Sequence, residues 1–347
     1  MARLNRAEQQ ALTRARVLAA AQDEFTELGF RDAKVDRIAE RADLTRGAVY
    51  SNFPSKLGLF LAVLVDRPGE PPQGPPGETP AAALGAFARA WIGRLPLSQE
   101  SRTPAGLRGL VLAEALADDR LRQAFAQAMQ LDAVLLGLAL EEVGLSATRQ
   151  VRAAEQALTV LHGAGQLAAA APGFADPWDM VGVCRALAAH PGDTWDPPHL
   201  PFVPPATAAD APWEPPAAHD AVTGEPSDLG RDGVVAVLGA HRLGAAEEAV
   251  RAARPGDAVT VAVVSGDPGE LGRLVRFAVD DLMACVRAAF PRRAWPRLAV
   301  VLDDAGAVAA AAGVPAGDGT QTAVRVAGGR VVARADGYGA AHAAASA

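Results

Sequence analysis

The stretch Leu44 to Lys56, LTRGAVYSNFPSK, decides how the chain is read. Thr45 is a good N-cap, because its hydroxyl can accept an orphan backbone N–H of a first helical turn, and Leu44 and Val49 are spaced around it as a hydrophobic staple. A helix is therefore predicted from Arg46. Val49 and Phe53 stand four apart and share its inward face, which leaves Arg46, Gly47, Ala48, Tyr50 and Ser51 on or near the outer surface. Small residues let a helix approach base edges, Arg46 can donate to a guanine or a phosphate, and the Tyr50 hydroxyl can reach a phosphate oxygen. Pro54 ends this helix and Ser55-Lys56 restarts one, with Lys56 in a first turn whose backbone N–H groups could grip the same phosphate backbone.

Two supporting helices lie upstream. Leu18, Ala21, Phe25 and Leu28 recur every three or four residues, and Gly29 sits where a left-handed stop is expected. Val35, Ile38, Ala39 and Ala42 repeat the pattern, and only Asp43-Leu44 separates them from Thr45, giving the tight junction of a helix-turn-helix. The order FTELGF, then VDRIAERADLTRGAVYSNFPSK, resembles the N-terminal domain of the TetR family of transcriptional regulators over roughly Ala11 to Val65. The resemblance implies double-stranded operator DNA as partner, with Lys34, Thr45, Arg46, Gly47, Ala48, Tyr50, Ser51 and Lys56 as the DNA-binding residues. Two positions depart from the family pattern. Lys34 stands where a Thr usually caps the second helix, and Asp43 replaces the turn Gly; Asp enters left-handed conformations more readily than most residues.

The net charge of −7 is unevenly spread: residues 1 to 56 hold ten Lys/Arg against eight Asp/Glu, so this part is +2 and the remainder −9. A modest excess at Arg3, Arg6, Arg46 and Lys56 can suffice when a dimer presents it twice. MARLNR reads equally as a basic arm over phosphates or as an unstructured tail. Two cysteines, Cys184 and Cys285, exclude a disulfide scaffold and every Cys-rich zinc pattern, and fit a cytoplasmic protein. No secretory h-region and no apolar run of the roughly 20 residues of a membrane span is expected.

After a Pro- and Gly-rich loop (Asp66 to Pro80), helices are predicted near Ala81 to Leu95, Ala105 to Ala117, Arg120 to Val143, Ala147 to Ala171 and Pro177 to Ala189. Their order resembles the ligand-binding and dimerisation domain of the same family, which implies a homodimer through the last two helices, where Gly163, Ala164, Ala168 and Ala169 would allow close approach. It also implies a small-molecule effector of unnamed identity between the helices of each subunit. Phe87, Trp91, Leu110, Phe125, Met129 and Leu135 could line that site or simply form core, and His162 faces the same choice.

Pro191 to Gly230 holds ten prolines in forty residues and reads as an extended linker, anchored or partner-seeking through Trp195, Phe202 and Trp213. VVAVLG (Val234 to Gly239), VTVAVVS (Val259 to Ser265) and LAVVLD (Leu298 to Asp303) then read as buried strands separated by helices, and Gly328-Gly329 joins TAVRVA to RVVARADG as a hairpin. This order resembles the thioredoxin-like fold of thioredoxins and peroxiredoxins. Redox members place a Cys just after the first such strand, where a helix N-terminus lowers the thiol pKa. Here that place reads Gly239-Ala240-His241-Arg242, and the family's cis-proline position falls at Thr320-Gln321.

The expected fold class is thus multi-domain: an all-α helix-turn-helix DNA-binding domain (1–65), an all-α ligand-binding and dimerisation domain (80–190), a Pro-rich linker (191–230) and an α/β thioredoxin-like domain without redox cysteines (231–347). The expected function is a repressor released by its effector, with no catalytic, cofactor-binding or metal-binding residue. The competing class is a thiol-disulfide oxidoreductase, or a redox sensor acting through Cys184 or Cys285. A Ser-His-Asp hydrolase lacks its Gly-x-Ser-x-Gly elbow.

Overall fold

A computed structural model describes residues 6–66, 74–95, 118–146, 148–189, 192 and 202–347. The N-terminal part is helical: α1 (Arg6–Asp32), α2 (Val35–Arg41), α3 (Arg46–Asn52), α4 (Lys56–Asp66), α5 (Pro80–Ile92), α6 (Asp119–Gly144), α7 (Val151–Ala170) and α8 (Met180–Leu187). The expected punctuation is visible. Gly29 takes a positive φ of 74° at the bend of α1, and Asp43 enters the left-handed region at φ 53° in the turn before α3. Asp118 caps α6 by accepting from the backbone N–H groups of Arg120 and Leu121 at 2.7 and 3.2 Å. The final helix is shorter than its predicted span, because Asp176 and Pro177 open a 3₁₀ turn (Pro177–Asp179) before α8 begins. Arg3, the helix expected at Ala105 to Ala117 with Leu110, and Trp195 lie outside the described residues, as do the side chains of Arg6 and Ala169.

The C-terminal part is a six-stranded mixed sheet with helices. Its strands are β1 (Thr207–Pro212), β4 (Gly233–Gly239), β5 (Ala258–Val264), β6 (Leu298–Leu302), β7 (Gln321–Ala327) and β8 (Arg330–Asp336), in the order β1-β8-β7-β4-β5-β6. A small pair, β2 (Ala218–His219) and β3 (Pro226–Ser227), stands beside it. The three Val-rich strands β4, β5 and β6 run parallel, as their continuous apolar runs suggest, with β6 at the edge, and β7, β8 and β1 are antiparallel. The helices are α9 (Ala245–Ala252), α10 (Arg273–Ala289), α11 (Ala307–Ala311) and α12 (Ala340–Ser346), the last unpredicted because its Ala-rich sequence has no polar face to give it a period. A single π-type turn (Pro268–Gly272) leads into α10.

Two expectations need correction. The span read as linker is partly structured: residues 207–212 form a strand on β8, and Trp213 is buried with its indole N–H donating to Leu229 O at 2.8 Å. Short runs rich in Ala and Pro carry no alternation, so β1 left no sequence signal. Phe202, by contrast, is exposed. Second, α6 is long and apolar enough by composition to cross a membrane, although most of it is buried against α5, α7 and α10.

The helical and α/β parts share one apolar core. Helix α10 packs on α4, α5 and α6, and a continuous cluster of buried side chains runs from Val17 to Ala345. At the same junction Arg149, 1% exposed, pairs with Glu141 at 2.8 Å and donates to Val250 O at 3.3 Å. Burial pulls the Arg149 guanidinium down to about 10, against the raising pull of Glu141. Leu167 on α7, Phe174 and Trp178 between the helices and Val183 on α8 are exposed, and a Cβ built on Gly163 or Gly182 would meet nothing within 4 Å.

Candidate nucleic-acid interface

Thr45 caps α3 as its residue type predicts, its Oγ1 accepting from Ala48 N at 3.2 Å. Val49 and Phe53 are buried, while Thr45, Arg46, Gly47 and Ser51 are exposed and Ala48 and Tyr50 half-buried, so α3 turns the expected residues outward. The surface is locally pre-ordered. Arg46 forks onto Asp36 of α2 at 3.2 Å to each oxygen, and its guanidinium lies 5.4 Å from the centre of the Tyr50 ring. Both partners of that pair are well exposed, so releasing Arg46 to a phosphate or base costs little. Ser51 donates to Ala48 O at 2.8 Å, keeping its hydroxyl against the helix.

Lys34 is exposed at the N-cap of α2 and its side chain makes no capping bond. Its backbone N–H instead donates to Glu24 Oε1 at 3.3 Å. Glu24 is fully buried, and Arg37 and Arg41 approach its other oxygen at 3.4 and 3.1 Å. Those two arginines therefore hold α2 on α1. Lys56 opens α4 half-buried, donating to Arg31 O at 3.1 Å with its ammonium 4.8 Å from the Phe30 ring centre, which places its charge at the seam between α1 and α4. Sequence inspection missed Arg14, whose guanidinium lies 4.7 Å from the Phe53 ring centre, and Arg16, which bonds Ala42 O; single arginines on a long polar helix face give no warning of such roles.

The competing sites are less well equipped. Cys184 and Cys285 are both buried and share no disulfide; Arg94 Nη1 donates to Cys285 Sγ at 3.0 Å, and burial pushes the Cys184 thiol up to about 11. After β4, the backbone N–H of His241 donates to Asp318 O at 2.9 Å and its imidazole Nε2 lies 3.0 Å from Arg120 O. Of the effector-site candidates, Phe87, Trp91 and Leu135 are buried, and Phe125 and Met129 pack partly buried against the core. His162 sits edge-on to Trp91 and Phe125, with ring centres 5.0 and 6.0 Å away, and its Nε2 is buried without a hydrogen-bond partner. No group of metal-ligating side chains occurs among the described residues.

Burial holds the His162 imidazole down at about 4 rather than 6.5. Between those values the unfolded chain binds a proton that the folded chain refuses, so stability rises with pH across the window and falls as pH drops from 6.5 towards 4. Urea unfolding at pH 6.5 and pH 4.5 should show the parent losing about 2 to 3 kcal/mol more than His162→Gln over that interval. Equal losses would place the titration elsewhere.

A helix-turn-helix with a capped, small-faced and basic second helix defines a DNA-binding module. Residues 17–63 match the family model described as bacterial regulatory proteins, tetR family, and this part of the chain is a TetR-family N-terminal domain. The chain is 46% identical over 67 residues to the HTH-type transcriptional regulator SrpR of Pseudomonas putida, covering 19% of this chain and 31% of that protein. It is 47% identical over 55 residues to the uncharacterized HTH-type transcriptional regulator TtgW, also of Pseudomonas putida, covering 16% and 41%. It is 43% identical over 51 residues to the HTH-type transcriptional activator FasR of Mycolicibacterium smegmatis, covering 15% and 23%. The chain thus spans less than half the length of each of these relatives. Among solved structures, a TetR transcriptional regulator from Rhodococcus sp. RHA1 aligns with 52% of this chain and 95% of its own at 21% identity and a TM-score of 0.34. A second Rhodococcus sp. Rha1 transcriptional regulator aligns with 50% and 93% at 25% identity and a TM-score of 0.32.

Proposed function

We propose that the protein is a TetR-type transcriptional repressor that binds operator DNA as a homodimer in the cytoplasm and is released by a small-molecule effector. The observation that carries this reading is α3, whose capped N-terminus and outward Arg46, Gly47, Ala48, Tyr50 and Ser51 form a face small enough to enter a major groove, flanked by Lys34 and Lys56. The exposed apolar side chains and open glycines of α7 and α8 supply a face for a second protomer. The aromatic surroundings of His162 suit an uncharged, largely apolar effector, since a charged one would be desolvated there without a counter-ion. The α/β part is assigned a thioredoxin-like fold used for binding rather than thiol chemistry, on the order of its strands and on Gly239 to Arg242 standing where a nucleophile would be.

Mobility shifts with genomic fragments test the DNA-binding reading. Tyr50→Phe should weaken binding to all sequences alike, by about 1 kcal/mol for one lost phosphate contact. Lys56→Ala should do the same and reduce the salt slope by about one. Arg46→Ala should relax sequence preference at a cost of roughly 1 to 3 kcal/mol. Shifts unchanged across all three variants would remove the proposal.

A further inference from the structure

In open α/β sheets, ligands and catalytic groups collect in the crevice beyond the carboxyl ends of the parallel strands. In this chain the ends of β4 and β5 are met by the chain's own N-terminal part. After β4, Gly244 N donates to Gln127 Oε1 of α6 at 2.9 Å, and His241 meets Arg120 O as described. A Cβ on Gly244 would lie 2.1 Å from Gln130 Oε1, so the side-chain tips of α6 reach this turn directly. After β5, Asp267 pairs with Arg120 at 3.2 Å and accepts from Glu270 N at 3.1 Å, which holds the π-type turn in shape.

That turn is set against the start of α4. Ser55, which caps α4 by accepting from Gly58 N at 2.8 Å, donates its hydroxyl to Glu270 Oε1. The Arg273 guanidinium bridges two carbonyls, Gly58 O at 2.8 Å and Gly269 O at 3.1 Å, and lies 5.3 Å from the centre of the Phe53 ring. Phe53 is the residue on which α3 ends, so it carries guanidinium groups from both α1 and α10. A Cβ on Gly58 would stand 2.9 Å from Gly269 O, so the two backbones meet there without an intervening side chain.

We propose that the α/β domain is a positioning device for the DNA-reading unit: Glu270 and Arg273 grip the α3–α4 junction and fix the angle at which α3 is presented. Resting on the DNA-binding reading above, this makes Arg273 and Glu270 positioning residues of operator recognition although neither lies on the reading face. An effector, a partner or a truncation that shifted the π-type turn would be felt at α3 directly, without passing through the helices around His162.

The test uses the full chain and its Arg273→Ala, Arg273→Lys and Glu270→Gln variants, with thermal unfolding to select those that remain folded. Hydrogen exchange in the free protein should quicken about tenfold at the amides of residues 53–60 in Arg273→Ala, and less in Arg273→Lys, which keeps the charge and N–H donors but loses the planar guanidinium beside the Phe53 ring. On operators differing by one base pair in half-site separation, the preference of the parent for one spacing should fall at least about fivefold in the variants while the salt slope stays constant. Exchange and spacing preference within twofold of the parent would overturn the proposal. So would equal weakening on every spacing with a shallower salt slope, since that marks Arg273 as an ordinary phosphate contact. A parent that selects no genomic DNA would remove the DNA-binding reading instead, and the exchange measurement would still decide whether the grip exists.

Discussion

Gly163→Arg is expected to leave the protomer folded, to convert a dimer into a monomer and to lower operator affinity by about 100-fold or more, because two linked reading heads gain that much from effective concentration. The site is suited to this test. A Cβ on Gly163 meets nothing within 4 Å, so a long side chain has room in the isolated protomer and conflicts only with a neighbour packed on α7. Leu167 lies exposed one turn on along the same face, and Trp178 and Val183 are exposed on the segment that follows, apolar side chains whose use as an interface a charged guanidinium would spoil. Light scattering and operator titration on the same samples decide the matter. A dimer that persists in Gly163→Arg moves the interface off these helices, and a monomer that keeps tight binding to a palindrome removes the dimer from the mechanism.

The largest stability effect is expected at Arg149. Arg149→Met leaves Glu141 buried without its partner, which typically costs about 3 to 5 kcal/mol. Burial already raises the Glu141 carboxyl above its ordinary range despite Arg149 beside it. Without the guanidinium its folded-state pKa rises further, so the variant's deficit is greatest at neutral pH and shrinks as pH falls through that raised value. The paired change Arg149→Met with Glu141→Gln removes both charges, while the Gln carbonyl can still accept from Gln150 N, which bonds Glu141 at 2.8 Å. It should recover most of the loss. Urea unfolding of the three proteins at pH 7 and pH 5 measures all of this, and a single variant as stable as the parent would show the pair to be idle.

The helix-turn-helix was legible because its signals are local. Thr45, Asp43, Gly29 and the inward pair Val49 and Phe53 each act within one or two turns of chain, and all behave as their residue types require. The Val-rich parallel strands were legible for the same reason. What sequence could not show is what depends on distant partners. Nothing local ties Arg37 and Arg41 to Glu24, which the fold buries beneath them, and Arg273 is one arginine among many until the fold sets it beside Phe53 and Gly58. Strand β1 escaped notice because its Ala and Pro residues have no pattern of their own and acquire strand geometry only by pairing with β8.

The margins of the sheet carry a consequence for how the protein behaves at high concentration. An unpaired strand edge invites strands from other molecules and can seed aggregates. On the β6 side Asp220 accepts from Val300 N at 2.9 Å while Ala221 N donates to Val300 O at 2.8 Å, so the backbone at the middle of that edge is already occupied. On the other side the last strand is short, ends in Pro212 and carries the charged Asp210, paired with Arg330. The β6 margin is covered at Val300 and the β1 margin is interrupted by a proline and a paired charge, features that discourage strand-by-strand polymerisation in a chain with 50% hydrophobic residues.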